Sequence, residues 1–214
     1  MYRYALTIEY DGSPFHGWQV QNHLNTVQGV IFAAVKKFDL NCENLVGAGR
    51  TDAGVHATGQ VAHVDLATER NCETVEKALN FYLNKYPISI LSAKSVSKDF
   101  HARFSAIRRH YTYKIFYRKT ALTFDRGQYW RIKRGLDIDS MRLAADYLIG
   151  KHDFTTFRSS LCQAVSPIKT IDKICINSEE IRDGIVYKLD FTARSFLHNQ
   201  IRSCLLYTSP SPRD

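Results

Sequence analysis

Alternating apolar residues near the start of each half of the chain limit the folds that this sequence can adopt. In YRYALTIEY the large apolar side chains recur at every second residue, which places Tyr2, Tyr4, Leu6, Ile8 and Tyr10 on one face of a strand. RRHYTYKIFY repeats the pattern with Tyr111, Tyr113, Ile115 and Tyr117. Each of these segments is followed by a stretch with helical spacing and then by further strands. This order predicts an α+β unit in each half of the chain.

The order of the predicted elements is that of a ferredoxin-like unit. Helices are predicted at 25–38, 73–86 and 137–150 and from Ser195 onward, and the second half has strands at 171–177 and 184–194. Asn25 with Gln28 indicates a capping box, and Pro87 ends the second helix. We therefore expect an α+β fold with two ferredoxin-like (RRM-like) halves, residues 1–97 and 98–214, and a joined antiparallel sheet, the second half being incomplete.

The composition is typical of a globular protein without a membrane span. Apolar residues make up 44% of the 214 residues and charged residues 23%, and no apolar run reaches the roughly 18 residues that a transmembrane helix needs. The first residues lack the pattern of a signal peptide. The five cysteines are odd in number and include no CxxC pair, which disfavours structural zinc and a disulfide framework. We expect a cytoplasmic protein.

The positive charge of the chain is concentrated in one stretch. The formal net charge is +8, and residues 100–134 alone carry ten Lys or Arg and a single acid, Asp125. Aromatic residues interleave with these cations, as in FHARF and YWRIKR. Such a mixture favours contact with a phosphate backbone and unstacked bases, although a solvated strand surface is the alternative.

The segment GAGRTDAG, residues 47–54, places an aspartate in a glycine-rich loop. A dinucleotide fingerprint would need glycine where Asp52 stands, and a Walker loop would need Gly-Lys-Ser/Thr at its end. His56 and His63 lack the spacing of a helical metal site. A plain turn and a functional carboxylate remain, and for the latter the glycines would let a substrate approach while Arg50 supplies a nearby cation.

GRTDAGVHA, residues 49–57, resembles the signature of the tRNA pseudouridine synthase A family (TruA type). Five further segments resemble this family in the same order, so that the resemblance covers residues 1–203: YDGSPFHGWQVQ, FHARFSA, RRHYTYKI, GKHDFTTFR and SFLHNQIRS. The resemblance implies an enzyme that isomerises uridine to pseudouridine in the anticodon stem-loop of tRNA, at positions 38–40 in tRNA numbering. It also implies two α/β halves, a basic cleft, a homodimer, and neither a metal nor another cofactor.

The resemblance also implies roles for individual residues. The catalytic aspartate of the family corresponds to Asp52, which would attack the ribose or, in an alternative scheme, the base. Tyr111 corresponds to an active-site tyrosine that stacks on the target base, and Arg202 to the arginine that pairs with the aspartate, with Arg194 a less favoured substitute. Arg50 would hold the target nucleotide out of the stack. The residues that we expect to bind RNA are His101, Arg103, Arg108, Arg109 and Lys114.

Some of these residues have a second interpretation, which periodicity alone favours in the case of Tyr111. Tyr111 would be one more inward aromatic of its strand. Arg202 lies off the apolar stripe of its helix, which would let it point towards a cleft, and an ordinary surface arginine is the alternative. Phe154 and Phe157 are expected in the core rather than against a base. An RNA-binding module without catalysis would have the same composition but would have no need of Asp52. A carboxylate-based hydrolase is disfavoured because no second acid stands near the loop.

The resemblance ends near Ser203. The remaining residues, 204–214, include Pro210 and Pro212, which disfavour a regular helix. We expect a truncated reading frame with a tail unrelated to the family, and hence a loosely positioned Arg202 and an inactive fragment as a second alternative.

Overall fold

The structure is a computed structural model that describes residues 1–160 and 162–208. It confirms the predicted α+β fold. The chain separates into two compact units, Met1–Ala106 and Ile107–Asp214. The segment 98–106, which the sequence assigned to the second half, thus lies in the first unit. The side-by-side joining of the two sheets stays a prediction.

The first unit has the complete ferredoxin-like order of elements. These elements are β1 (Tyr2–Tyr10), α1 (Val27–Phe38), β2 (Leu45–Gly47), β3 (Ala57–Leu66), α2 (Cys72–Leu83) and β4 (Ile88–Val96). The strands form one antiparallel sheet in the order β2-β3-β1-β4, which is that of a ferredoxin-like sheet.

Both helices of the first unit pack on the same face of this sheet. Tyr4, Leu6, Ile8 and Tyr10 of β1 are buried as the alternation predicts, whereas Tyr2 is exposed. Against them pack Val27, Ile31, Ala34 and Val35 of α1 and Val75, Leu79 and Leu83 of α2. The alternation of β1 is therefore explained by one buried face.

The start of α1 differs from the predicted capping box. Thr26, not Asn25, is the N-cap, and its hydroxyl accepts a hydrogen bond from the Gly29 N–H at 3.3 Å. Gln28 serves a different purpose, because its side chain accepts from the Val20 N–H and donates to the Leu45 carbonyl. The predicted pair was wrong because these two long-range hydrogen bonds occupy Gln28.

The second unit consists of β5 (Arg109–Tyr117), β6 (Trp130–Ile132), α3 (Ile138–Asp146), β7 (Gly150–Asp153), a 3-10 helix (Thr155–Phe157), β8 (Ile168–Ile181), β9 (Gly184–Ala193) and α4 (Gln200–Thr208). Its sheet has the order β6-β5-β9-β8-β7, with the β5–β6 pair parallel and the others antiparallel. β5, β9 and β8 thus repeat the order of β1, β3 and β2. Met141 of α3 and Leu205 of α4 pack against Ile115, Leu189 and Phe191 on one face of this sheet.

Three boundaries in the second unit correct the expectations from sequence. α4 begins at Gln200 rather than after Ser195, because Asn199 adopts a left-handed conformation with φ of 60° and its carbonyl accepts from the Ser203 N–H. β8 continues to Ile181, so only Arg182 and Asp183 form the turn before β9. α3 ends at Asp146, and Gly150 opens β7.

Residues 204–208 of the expected tail are helical in α4, and the remainder of that prediction lies outside the described residues. Within the described ranges, every helix is too short or too polar to cross a bilayer.

Candidate active site

The loop that carries Asp52 connects β2 to β3 in the first unit and is bound to β3 at its start. The Ala48 N–H donates to the Val61 carbonyl at 2.7 Å, and the Gln60 side-chain amide donates to the Gly49 carbonyl at 2.9 Å. Beyond Asp52 the chain turns back, with the Val55 N–H donating to the Asp52 carbonyl at 3.2 Å. The aspartate thus lies in the middle of the nine-residue connection between the neighbouring strands β2 and β3.

A second segment, residues 11–18, holds this loop from the other side. The Trp18 N–H donates to the Thr51 carbonyl at 3.0 Å, and the Gly54 N–H donates to the Phe15 carbonyl at 3.3 Å. In addition, the hydroxyl groups of Tyr10 and Thr51 lie 2.8 Å apart. The backbone on both sides of Asp52 is therefore bonded to a segment some forty residues earlier in the chain.

Glycine is required where these two segments meet. A Cβ on Gly12 would lie 2.0 Å from the Val55 carbonyl oxygen, and a Cβ on Gly17, whose φ is +88°, would lie 2.6 Å from that of Thr51. Gly47 leaves room for the Trp18 ring in the same way, at 2.6 Å. Gly54 has open space around it and a φ of +76°, so it serves the turn itself. Close backbone contact thus accounts for Gly12 and Gly17, the Trp18 ring for Gly47, and the turn conformation for Gly54.

The loop presents one carboxylate and one guanidinium group. Asp52 is half-buried and Arg50 is exposed. Close by, His56 Nδ1 lies 3.0 Å from a carboxylate oxygen of Asp11. Hydrogen bonds from Ser13, and to a smaller extent the neighbouring His56, lower the pKa of Asp11. A carboxylate on a rigid backbone of this kind can serve as a nucleophile or as a base.

In the second unit, Tyr111 lies on the sheet face that the helices cover, and Arg202 lies on one of those helices, α4. Tyr111 is half-buried on β5, and its ring meets that of Phe196 edge-on with centroids 5.3 Å apart. Arg202 is exposed on α4. Burial raises the pKa of Tyr113, which also lies on β5, and the charge of Arg202 opposes this rise. Arg202 is therefore close enough to β5 for its charge to act on the Tyr113 side chain.

The proposed RNA-binding residues of the basic stretch 100–134 lie on separate surfaces. Arg109 has the strand parity of Tyr111, and its guanidinium donates to the Arg194 carbonyl. The opposite face carries a shallow depression of about 540 Å³ that Arg108, His110, Asp190 and Thr192 help to line. Lys114 has the parity of His110 and lies over the Tyr129 ring at 5.5 Å. His101 and Arg103 belong to the first unit instead, in the segment that follows β4.

Two further observations bear on the sequence predictions. Phe154 is buried, and its ring meets that of Phe157 with centroids 5.8 Å apart, which confirms that both residues belong to an apolar cluster. Across the part of the chain that the structure describes, no group of three or more His, Cys, Asp or Glu side chains is placed to hold a metal ion.

A family model described as tRNA pseudouridine synthase matches residues 6–105 and 144–206. The chain belongs to the tRNA pseudouridine synthase family. This confirms the resemblance deduced from the motifs, and the match continues three residues beyond Ser203, where we expected it to end. The matched segments contain Asp52 and Arg202, whereas Tyr111 and the cations of β5 lie between them.

Proteins named tRNA pseudouridine synthase A from several bacteria are similar to this chain over nearly all of its length. The protein of Dinoroseobacter shibae is 50% identical over 203 residues, which cover 95% of this chain and 79% of the relative. That of Paracoccus denitrificans is 51% identical over 206 residues with the same coverage, and that of Xanthobacter autotrophicus is 51% identical over 203 residues, covering 81% of the relative.

Sequence reasoning missed several residues that shape the site. Gly12 and Gly17 lie in a segment that resembles the family, but nothing in the sequence shows that they touch the Asp52 loop. His63 was considered only as a metal ligand, yet it is a buried hydrogen-bond acceptor. Phe104 was visible in FHARF as an aromatic residue between cations, which is a weak signal for an exposed ring.

Proposed function

We propose that this protein is a cytoplasmic homodimer that isomerises uridine to pseudouridine at positions 38–40 of the tRNA anticodon stem-loop. Family membership supports the reaction type and the tRNA substrate. The observation that carries the proposal is the doubly held Asp52 loop, whose backbone hydrogen bonds and glycine contacts fix one half-buried carboxylate. An RNA-binding module would have no use for an acidic group fixed in this manner, because carboxylates repel phosphates.

In this proposal Asp52 is the nucleophile. The reaction breaks the bond between ribose C1′ and uracil N1 and forms a bond between C1′ and C5 of the same base. The Asp52 carboxylate attacks either C1′ of the ribose or the uracil ring, and it is released when the new carbon–carbon bond is complete. The proton on C5 is then lost and N1 gains one, so the atoms balance and no cofactor is consumed.

The remaining residues position the nucleotide. A base within a stem or a stacked loop must be extruded, which costs a few kcal/mol. Arg50, exposed beside the nucleophile, holds the nucleotide out of the stack, Tyr111 stacks on the uracil, and Arg202 pairs with Asp52. The proposed RNA contacts are His101, Arg103, Arg108, Arg109 and Lys114.

Replacement of the nucleophile tests the proposal directly. Asp52→Asn removes the nucleophilic charge with little change of shape, so we expect pseudouridine formation to fall by more than about 10⁴-fold while tRNA affinity changes little. Carbodiimide mapping of the product tRNA locates and quantifies pseudouridine. Asp146→Asn is the matched control, since Asp146 is an exposed acid at the end of α3.

The outcomes separate the alternatives. Pseudouridine at the wild-type rate in Asp52→Asn refutes the nucleophile assignment. A wild-type chain that binds tRNA and yields no pseudouridine in a single-turnover reaction is an RNA-binding module or an inactive fragment, and the proposed activity is then wrong.

A further inference from the structure

The segment 97–106, which follows β4, covers the sheet face of the first unit that lies away from α1 and α2. One nitrogen of the Arg3 guanidinium donates to the carbonyl groups of Lys98 and Phe100, at 2.5 and 2.8 Å. Near the middle of the segment, the Ala102 N–H donates to Nδ1 of His63 at 3.1 Å. The segment is thus tied to both β1 and β3.

Buried polar groups support these ties. Asp65, only 6% exposed, binds the Arg3 guanidinium with both carboxylate oxygens, at 2.7 and 2.8 Å. His63 is 2% exposed. Charged and polar groups lose hydration when they are buried, and an apolar pair would cover the sheet equally well. The distinctive effect of this arrangement is to fix the backbone of the segment above it.

Hydrogen bonds within the segment fix its tip. His101 Nδ1 accepts from the N–H groups of Arg103 and Phe104, at 3.2 and 3.4 Å. The backbone of His101 exchanges hydrogen bonds with Ser105, whose hydroxyl accepts at 3.0 Å and whose N–H donates at 2.8 Å. The backbone of Phe104 is therefore held on both sides.

The ring of Phe104 is fixed as well, yet it remains open to solvent. Its centroid lies 4.4 Å from that of the His101 ring at an interplanar angle of 34°, and the Arg103 guanidinium lies 5.8 Å from it. With these contacts in place, the residue is still 71% exposed. Single exposed apolar residues are ordinary, but this one stands on a backbone that buried groups hold in place.

We propose that Phe104 is a stacking platform for an unpaired base of the bound RNA, with Arg103 on an adjacent phosphate. This inference rests on the proposed RNA substrate. An aromatic face accepts any base, and a cation beside it suits the charged strand that carries the base. A protein partner fits less well, because stable interfaces need about 800 Å² on each side, and the contacts of the exposed Phe104 ring are with the His101 ring and the Arg103 guanidinium.

Affinity for unmodified tRNA tests the platform. We expect Phe104→Ala to weaken binding about 5- to 150-fold, the range that corresponds to loss of one base–aromatic stack. Phe104→Tyr keeps the aromatic face and should bind as the wild type does. Phe81→Ala is the matched control, since Phe81 is 69% exposed on α2 and also meets an aromatic ring edge-on. Its affinity should not change.

Tryptophan fluorescence reports the stack itself. Stacking on a base should quench the emission of Phe104→Trp when tRNA is added, whereas Phe81→Trp should show no quenching beyond that of the wild type. Unchanged affinity in Phe104→Ala together with unquenched Phe104→Trp overturns the inference, and it does so whether or not pseudouridine forms. If tRNA quenches the emission of Phe104→Trp but the wild-type chain forms no pseudouridine, the stacking role of Phe104 is supported and the proposed catalysis is wrong.

Discussion

At the scale of single residues, the position of Asp52 is set by residues outside its own motif. A plain turn was one of the two interpretations of the loop, and Gly54, with a φ of +76°, does occupy a turn conformation that favours glycine. The role of Gly12 and Gly17 was not predictable, because close approach between segments about forty residues apart has no signature in either segment. The same holds for His63, whose partner Ala102 lies in a distant loop.

Gly17→Ala should destabilise the first unit and displace the Asp52 loop. A Cβ at this position meets the Thr51 carbonyl oxygen at 2.6 Å, and the φ of +88° disfavours any L-residue. We expect the free energy of unfolding to fall by about 2–4 kcal/mol, measured by urea denaturation, with a loss of pseudouridine formation.

Gly59→Ala is the control for this substitution. Gly59 lies in β3, and no atom stands within 4 Å of the place where its Cβ would be. Its urea midpoint should equal or slightly exceed that of the wild type. Equal urea midpoints for Gly17→Ala and Gly59→Ala would show that the Asp52 loop and the segment 11–18 are not in close contact.

At the scale of elements, length decided what the sequence could predict. β1 and β5 are nine residues long and show their period of two clearly, whereas β2 and β6 have three residues each and show none. Helix ends were less predictable because side chains such as Gln28 are used in tertiary contacts. The distribution of the cations Arg108, Arg109 and Lys114 was also hard to predict. They are close in sequence, but successive side chains of a strand point to opposite faces of the sheet.

Substitution of the cations of β5 tests how RNA meets this strand. β6 pairs with only Ile115–Tyr117, so the first part of β5 lies at an edge of the sheet of the second unit, where an RNA strand can touch both faces. Each phosphate contact that is lost lowers the slope of log affinity against log salt by about one. We expect this decrease for Arg109→Ala and for Lys114→Ala separately, and a larger one for the triple Ala variant with Arg108.

A salt series of binding measurements separates the two faces. If Lys114→Ala leaves the slope unchanged while Arg109→Ala lowers it, the RNA lies only on the face of β5 that carries Tyr111. If neither variant changes the slope, the cations of β5 face away from the RNA and this part of the proposal is wrong. Lys77→Ala is a suitable control, because Lys77 is exposed on α2 and pairs with Glu73 of the same helix.

At the scale of the whole molecule, the two α+β units were predictable from the repeated order of strands and helices, but the place of residues 98–106 was not. The repeated order of elements led us to divide the chain near residue 97, after the last predicted strand of the first half. The hydrogen bonds of residues 98–106 to Arg3 and His63 place them in the first unit, and such pairings between distant residues leave no local pattern. We expect the pairing of His63 with Ala102 to make the stability of the first unit depend on pH.

The stability of the first unit should fall as the pH decreases below about 6.5. Burial lowers the pKa of His63, the charges of Arg3 and His101 lower it further, and Asp65 opposes them. The unfolded chain therefore binds a proton more readily than the folded one, so the contribution of neutral His63 is complete above the unfolded pKa and is lost progressively below it. Protonation of Nδ1 would also remove the acceptor of the Ala102 N–H.

Trp18 allows the first unit to be followed by itself. The chain has two tryptophans, and Trp18 is buried in the first unit, so Trp130→Phe leaves it as the only indole. In this background the urea midpoint should decrease from about pH 7.5 to pH 5.5. His63→Asn supplies an uncharged acceptor in place of Nδ1, and although it leaves a cavity, it should flatten this dependence. Because the other histidines are common to both proteins, an equally steep dependence in His63→Asn would assign the effect to them and not to His63.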